Sequence, residues 1–223
     1  MLKGKGIISK LQKKVLNSLK DIPDSSYFYL TGGTALAEFY FGHRKSYDLD
    51  IFTAQKGLIL PFSRIVEEEL KKRKFSTNVI RRFSSFVEFE ISKENEIIKV
   101  QLALDSPFRF EEPVDSDLGL KINDYKDITV DKLLAFFGRV EPRDAVDLYF
   151  ILEKENFWEL ADLSKQKDPG FDLYWMATAL EKVKDFPDTI SRWPVEMLID
   201  IDIKKLKNKF SSFTMDIMER LRK

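Results

Sequence analysis

The chain has 223 residues, of which 43% are hydrophobic and 33% are charged, and this composition predicts a folded protein with a buried core. Lys plus Arg and Asp plus Glu both number 37, so the formal net charge is zero, which excludes a uniformly basic nucleic-acid binder but not a local basic patch. The absence of cysteine excludes disulfides and cysteine-ligated zinc, and the single histidine excludes a multi-histidine metal site.

The length fits one large domain or two small ones. No stretch approaches ~18 consecutive apolar residues, and the N-terminal residues lack the apolar core of a signal peptide. We therefore expect a soluble, cytoplasmic protein that does not bind a membrane.

The N-terminal part of the chain predicts a helix, a strand and a second helix. Apolar residues at helical spacing indicate an amphipathic helix over residues 7–20, and a short aromatic strand is expected at residues 27–30. Gly32 and Gly33 follow this strand and precede a helical pattern over residues 34–41. Glycines let a backbone approach a ligand closely, and free N–H groups at a helix start attract anions. The turn is therefore either a plain connection or a phosphate-binding loop.

Two aspartates follow, one residue apart. Residues 47–52 alternate as in a strand, so Asp48 and Asp50 should share one face while Leu49 and Ile51 point into the core. Two carboxylates at such a short distance repel each other, and a bound divalent cation removes this electrostatic repulsion. The segment is either an edge strand with solvated acids or half of a metal-dependent phosphate site, and the second is our working hypothesis.

The middle of the chain predicts a helix over residues 58–74 and β-structure over residues 76–92 and 96–104, with a hairpin turn at residues 93–95. The composition then becomes irregular, and we place a domain boundary there. The predicted domains are residues 1–115, an α/β domain, and residues 116–223, a helical domain.

The C-terminal part reads as helical. Thr129 is expected to cap one helix, and Pro142 is expected in the first turn of the next. Further helices are predicted near residues 157–165, 171–184 and 203–221.

A second polar cluster is predicted on these helices, and it consists of Lys132, Arg143, Asp144 and Asp147. Arg143 and Asp147 have i,i+4 spacing, which suits a surface salt bridge worth at most about 0.5 kcal/mol. The alternative is a lysine that faces phosphate together with an acid that accepts a proton.

Together, these segments resemble the AbiEii/AbiGii-type nucleotidyltransferases of the DNA-polymerase-β-like superfamily, which include toxins of type IV toxin–antitoxin systems. The resemblance spans roughly residues 27–155 and rests on residues 32–36, residues 43–52, Lys132 and residues 143–149, in that order. It implies an α+β nucleotidyltransferase fold, in which a mixed β-sheet flanked by helices is followed by a helical C-terminal domain, with the nucleotide between them.

The resemblance also assigns roles to the site residues. It implies that nucleotide phosphates are bound by two turns. The glycine turn contributes Gly32, Gly33 and Thr34, and the basic turn contributes Arg44 and Ser46. Asp48 and Asp50 would be catalytic and would hold Mg²⁺ or Mn²⁺, and the catalytic Lys132 and Asp144 would approach the triphosphate or the acceptor. Arg143 and Asp147 would have a more structural role. His43 is expected to be an exposed turn residue.

The implied reaction moves a nucleoside monophosphate from a nucleoside triphosphate to an acceptor and releases pyrophosphate, with metal ions neutralising the phosphates. RNA, and transfer RNA in particular, is the favoured acceptor, and a small molecule or a protein is the alternative. A type IV toxin of this kind would have a cognate antitoxin protein as partner. The rival from another class is a catalytically silent nucleotide-binding or interaction module.

One position departs from the superfamily pattern. Members often carry a third carboxylate on a neighbouring strand, and the matching position here is Gln101, whose uncharged amide is a poorer magnesium ligand. Glu88, Glu90 and Asp105 are other candidates, although Asp105 lies about 13 Å further along a regular strand. The departure suggests one tightly held metal, with a second brought in by the nucleotide.

Overall fold

A computed structural model describes residues 1–223. The chain forms two compact units, Met1–Tyr125 and Lys126–Lys223. The boundary predicted from composition, after residue 115, lies within the first unit. None of the helices is both long and apolar enough to cross a membrane.

The first unit is built on a mixed sheet of six strands in the order β3-β4-β5-β2-β1-β6. Its strands are β1 (Tyr29–Thr31), β2 (Leu49–Thr53), β3 (Ser76–Arg82), β4 (Phe86–Lys93), β5 (Glu96–Leu104) and β6 (Lys121–Ile122). The β1/β6 and β2/β5 pairs are parallel and the other pairs are antiparallel. Its helices are α1 (Lys10–Leu19), α2 (Gly32–Ala35), which continues as a π-helical segment (Leu36–Phe41), and α3 (Ile59–Lys72).

Local sequence signals explain where α1 begins. Ser9 and Gln12 form a capping box, in which each side chain accepts a hydrogen bond from the other residue's backbone N–H. Leu11, Val15 and Leu19 form the buried stripe that the periodicity predicted. The predicted helix is therefore confirmed.

The alternation in β2 decides how the sheet presents its two faces. Leu49 and Ile51 are fully buried, while Asp50 between them is half-buried and belongs to the opposite face. The apolar face continues into Val100 and Leu102 of β5, which are also fully buried, and α1 and α3 pack against this strand. The predicted orientation of Asp50 is thus confirmed, whereas Asp48 lies just before the first residue of β2.

The second unit is helical, as predicted. Its helices are α4 (Tyr125–Arg139, from the last residue of the first unit), α5 (Pro142–Ile151), α6 (Phe157–Lys167), α7 (Leu173–Glu181) and α8 (Ile203–Leu221). Pro142 occupies the first turn of α5, as predicted. Thr129 does not cap α4: the helix begins four residues earlier, and the Thr129 hydroxyl donates to the carbonyl oxygen of Lys126 (2.9 Å). Such a bond inside a helix competes with the capping geometry that the sequence suggested.

Candidate active site

The glycine turn and the second aspartate lie in direct contact. Thr31, at the end of β1, is paired with Asp50 of β2, and Gly32 follows with a backbone φ of +68°. A Cβ on Gly32 would lie 2.0 Å from Oδ2 of Asp50 and 2.8 Å from its Cγ. Both the left-handed φ and the lack of space require glycine here. The turn therefore exists in a form that lets the Asp50 carboxylate approach the backbone.

Gly33 makes the corresponding approach to the basic turn. A Cβ on Gly33 would lie 2.5 Å from Nη2 of Arg44 and 3.1 Å from Oγ of Ser46. Arg44 is only 4% exposed, and its Nη1 donates to the carbonyl oxygen of Lys45 (2.9 Å). The structure thus brings together Gly33, Arg44 and Ser46, and it places a positive charge beside the turn.

Thr34 positions the backbone of the first aspartate. The hydroxyl of Thr34 donates to the carbonyl oxygen of Asp48, and Thr34 is only 1% exposed. Asp48 itself is half-buried and stands just before β2, two residues from Asp50. The position of Thr34 therefore suits fixing Asp48 better than contacting a phosphate.

A buried amide supports Asp50 from the β1 side, and the sequence did not reveal it. Asn123 is fully buried, and its Nδ2 donates to Oγ1 of Thr31 (2.9 Å), the residue paired with Asp50. The Tyr40 hydroxyl donates to the carbonyl oxygen of Asn123 (2.7 Å). Burial, with a contribution from Asp124, raises the pKa of Tyr40 above its ordinary value, so the hydroxyl remains a donor to a higher pH than an ordinary tyrosine does.

The third-carboxylate position is occupied by an amide. Gln101 is paired with Asp50 across the β2/β5 ladder, and Glu88 is paired with Gln101 one strand further. Strands lie ~4.8 Å apart, so the backbone of Glu88 is roughly 10 Å from that of Asp50. Glu88 is held by Arg81 (3.6 Å) and Lys99 (3.9 Å). Its carboxylate is therefore committed elsewhere.

Asp105 and Glu90 do not fill this position either. Asp105 accepts a hydrogen bond from the Tyr29 hydroxyl and lies 3.6 Å from Nη1 of Arg109, so its carboxylate is engaged by these two residues. Glu90 is paired with Lys99, two residues from Gln101. No group of three or more His, Cys, Asp or Glu side chains gathers in an arrangement that could hold a metal ion.

The residues present nevertheless suit one particular mode of Mg²⁺ binding. Mg²⁺ prefers oxygen ligands, keeps several waters and is usually bound through one or two carboxylates plus substrate phosphates rather than by a full protein cage. Asp48 and Asp50 supply two carboxylates that are two residues apart in the chain, and the glycine turn lies against the second of them. The donor set thus fits a metal that arrives with a nucleotide.

His43 is not the exposed turn residue that we expected. It is fully buried, and its ring packs edge-to-face on Phe41 with 5.7 Å between the ring centroids. Gly42, with a φ of +75°, ends the π-helical segment and reverses the chain there. The aromatic contact contributes to the packing of the buried ring.

The second polar cluster lies within the second unit. Nζ of Lys132 is 2.7 Å from Oδ2 of Asp147 and 3.7 Å from Oδ1 of Asp144. Both aspartates are fully buried, and the lysine side chain is 8% exposed. The structure thus joins Lys132 of α4 to both acids of α5. Because buried charges need partners, this pairing fixes the ammonium group in one place.

Arg139 completes this cluster, and the sequence reasoning missed it. Its Nε and Nη2 donate to the two carboxylate oxygens of Asp144 at 2.6 and 2.8 Å, a bidentate fork. Arg143, which we paired with Asp147 in the salt-bridge alternative, instead donates to Oε2 of Glu141 (2.7 Å) and remains 42% exposed. That alternative is therefore wrong. The only sequence signal for Arg139 was its position at the end of α4.

Solved structures resemble this chain over nearly its whole length. A candidate nucleotidyltransferase from H. pylori matches with a TM-score of 0.64 and 19% identity, covering 96% of this chain and 98% of its own. The nucleotidyltransferase toxin MenT4 from Mycobacterium tuberculosis H37Rv matches with a TM-score of 0.56 and 15% identity, covering 92% and 82%. The fold is therefore that of a nucleotidyltransferase, and the predicted α+β class is confirmed.

Sequence comparison identifies the family. The sequence model described as "Nucleotidyl transferase AbiEii toxin, Type IV TA system" matches residues 14–219. The chain belongs to the AbiEii nucleotidyltransferase family, as its motifs predicted, and is a nucleotidyltransferase. An uncharacterized protein of Aquifex aeolicus (strain VF5) is 30% identical over 164 residues, which cover 71% of this chain and 73% of that protein.

Proposed function

We propose that this nucleotidyltransferase moves a nucleoside monophosphate from a nucleoside triphosphate to an RNA acceptor in a Mg²⁺-dependent reaction, and that it acts as a toxin with a cognate antitoxin. The observation that carries the proposal is the contact of the Gly32 backbone with the Asp50 carboxylate. The two glycines leave the backbone of the turn open to a phosphate, and the neighbouring Asp48 and Asp50 carboxylates could bind the metal ion of that phosphate.

Asp48 and Asp50 are the residues that would hold the metal. Bound Mg²⁺ would neutralise the phosphates and polarise the reacting oxygens. Thr34 and Thr31 serve this pair indirectly, since one hydroxyl bonds the Asp48 carbonyl and the other residue is paired with Asp50. Gln101, in register with Asp50, contributes at most a neutral oxygen, so the nucleotide supplies the remaining charge.

Gly33, Arg44 and Ser46 are the residues that would contact phosphate oxygens. The backbone at Gly33 is approachable because it has no side chain, and Nη2 of Arg44 and the Ser46 hydroxyl converge on it. Charge-assisted hydrogen bonds from a guanidinium to phosphate are stronger than neutral ones. Arg44 is buried and bonded to the Lys45 carbonyl, so its charge is positioned before a ligand arrives.

The Lys132 cluster would serve the same reaction. A desolvated ammonium group stabilises negative charge more strongly than one in water. Asp147 and Asp144 hold Nζ of Lys132 in place, and the fork from Arg139 uses both oxygens of Asp144. We therefore assign Lys132 to the charge of the triphosphate and Asp144 to orienting it. The proton of the acceptor hydroxyl would then pass to another base or to water.

The acceptor is proposed to be RNA on the strength of the toxin family. The basic residues near 71–74 and 81–82 give this acceptor little support, because several of them are paired with acids. Lys71 and Arg82 both pair with Glu67, and Lys72 pairs with Glu69. These pairs hold the pKa of Glu67 and of Glu69 below its ordinary value. Small-molecule or protein acceptors, and a catalytically silent module, are the alternatives that the experiments below separate.

A labelling experiment tests the proposal. The protein is incubated with each of the four α-labelled nucleoside triphosphates, Mg²⁺ and total RNA, and label in RNA is measured with and without chelator. We expect chelator-sensitive label, and its loss in Asp48→Asn and Asp50→Asn. Glu90→Gln removes a carboxylate from the same sheet but away from Asp48 and Asp50, so it is the matched control and should retain activity. Label that survives both Asp substitutions would contradict the proposal, and label in protein instead of RNA would reassign the acceptor.

A growth experiment tests the toxin role. Induced expression should arrest growth, and Asp50→Asn at equal protein level should relieve the arrest. Co-expression of the product of a neighbouring small reading frame should also relieve it. Unaffected growth at high expression would count against toxicity while leaving the enzymatic proposal intact.

A further inference from the structure

A cavity in the second unit adjoins the Asp144 cluster. It has a volume of about 700 Å³, within the range of pockets that bind nucleotide-sized ligands. It is lined by the end of α4, with Phe137, Gly138 and Arg139, and by α7, with Trp175. Arg139 also donates two hydrogen bonds to the Asp144 carboxylate, so the same residue lines the cavity and contacts the acid. A ligand in this cavity would lie beside the predicted catalytic acid.

One exposed aromatic side chain of α7, Trp175, lines this cavity. Trp175 is 61% exposed and its neighbour Tyr174 is 51% exposed, and the two rings meet edge-to-face with 5.4 Å between their centroids. Trp193, by contrast, is 4% exposed. Large aromatic surfaces left in water often mark binding sites, and an indole face offers a stacking platform.

One cation of the cavity lining, Lys182, is available to an anionic ligand. Lys182 is exposed and has no carboxylate within ion-pair distance. Arg139, the second cation of the lining, is bound to Asp144, and Asp185 is the one acid of the lining. An aromatic platform beside a cation is how proteins bind single-stranded nucleic acid, with the base stacked and the backbone phosphate near the positive charge.

The turn between α4 and α5 shapes the cavity at a cost in backbone strain. Val140, which lines the cavity, has a φ of +50°, a conformation that β-branched residues rarely adopt. Strained residues of this kind cluster at functional sites. The turn lets α5 begin at Pro142 and brings Arg139 onto Asp144. One strained residue thus helps to set both the cavity wall and the position of the acid.

We propose that this cavity binds a nucleotide of the single-stranded end of the RNA acceptor, with its base stacked on Trp175 and its phosphate near Lys182. The inference rests on the proposed function, because it supplies the acceptor site of that reaction. The inference goes beyond the proposed function because it names a surface that binds RNA in the absence of nucleoside triphosphate and metal.

Binding is tested with a fluorescein-labelled oligoribonucleotide of about ten residues, in chelator and without nucleoside triphosphate, by fluorescence anisotropy. We expect Trp175→Ala to weaken binding by about tenfold, because it removes one stacking contact. Trp175→Phe, which keeps an aromatic face, should bind nearly as well as the wild type. Phe83 of the first unit is also 61% exposed, and Phe83→Ala should leave the affinity unchanged.

A second substitution fills the cavity instead of removing its platform. A Cβ added to Gly138 would meet nothing within 4 Å, and Gly138 lies inside α4 without a positive φ. Gly138→Leu should therefore fold, gain helix propensity and block the cavity. We expect it to weaken RNA binding more than Gly138→Ala does, with the helical circular dichroism signal retained.

The outcomes separate this inference from the proposed function. If Trp175→Ala and Gly138→Leu bind RNA as the wild type does, or if Phe83→Ala loses as much as Trp175→Ala, the cavity is not the RNA site. Should RNA labelling occur in that case, only this inference fails. If both cavity variants lose affinity, the inference stands, even where no label transfer is detected and the proposed function fails.

Discussion

Oδ2 of Asp50 lies 2.0 Å from the point that a Cβ of Gly32 would occupy. The glycine turn therefore has no room for a side chain at position 32, because a side chain there would displace the Asp50 carboxylate that we assign to the metal. This contact gives the clearest single-residue test of the site.

Gly32→Ala should abolish metal-dependent nucleotide binding. The new methyl group would displace the Asp50 carboxylate, and alanine at a φ of +68° should also cost about 1–2 kcal/mol of stability. Gly57 separates the two effects, since its φ is +84° but a Cβ there meets nothing within 4 Å. Isothermal titration with nucleotide and Mg²⁺ and urea unfolding should show a similar stability loss in Gly57→Ala with binding intact. Equal nucleotide affinity in both variants would exclude a role for the contact.

Gln101→Glu should restore a third carboxylate beside Asp50. Without metal, the added negative charge should lower the melting temperature, because like charges on paired strand positions repel. With Mn²⁺, we expect metal affinity to rise roughly tenfold and the melting temperature to recover, since a carboxylate is a better ligand than an amide. Gln166→Glu, on the exposed surface of α6, is the control. A Gln101→Glu variant indifferent to Mn²⁺ would place the metal elsewhere.

Lys132→Met should lose activity and stability together. Its Nζ lies 2.7 Å from the buried Asp147 carboxylate, and removing one partner of a buried pair typically costs about 3–5 kcal/mol. We also expect label transfer to fall by about 100-fold or more. Arg143→Met removes a half-exposed cation bound to half-exposed Glu141, so its stability should change by less than about 0.5 kcal/mol. A folded Lys132→Met enzyme with full activity would contradict the assigned role.

Lys167 should make stability sensitive to alkaline pH. Its side chain is 5% exposed and bonds Asp127 (2.9 Å) and Asp131 (2.6 Å). Burial alone would lower its pKa, but Asp131 and Asp127 outweigh burial, so the pKa is raised above the ordinary 10.5. Because the folded-state pKa is the higher one, the stabilisation is complete below pH 10.5 and declines as the pH rises through the folded-state value.

Urea unfolding of Lys167→Met checks this ion pair. We expect a loss of about 3–5 kcal/mol at neutral pH, because Asp127 is left buried without its ammonium partner. Lys165→Met, an exposed neighbour on the same helix, should be nearly neutral. A loss no larger in Lys167→Met than in Lys165→Met would show that the pair contributes little.

Patterns of short range made the first half of the site predictable. The alternation through residues 48–51 fixed which side chains face the core, and the paired glycines marked a turn in which a Cβ has no room. Both follow from local backbone geometry, which the sequence encodes directly.

Contacts made across a turn or between distant segments were not predictable. Arg139 reaches Asp144 because Val140 adopts a left-handed conformation, and valine carries no turn signal. Glu38 is buried because the backbone N–H groups of Gly6, Ile7 and Ile8 bind its carboxylate (2.8, 2.6 and 3.0 Å), more than 25 residues earlier in the chain. Such pairings depend on tertiary packing that one sequence does not display.

The most direct test of the account uses two labels in parallel. Wild-type protein, Mg²⁺ and RNA are incubated with a nucleoside triphosphate labelled either at the α-phosphate or at the γ-phosphate. Nucleotidyl transfer predicts that the α label enters RNA and that the γ label appears only in pyrophosphate. Transfer of the γ label to RNA, or the absence of both products at active protein concentrations, would contradict it.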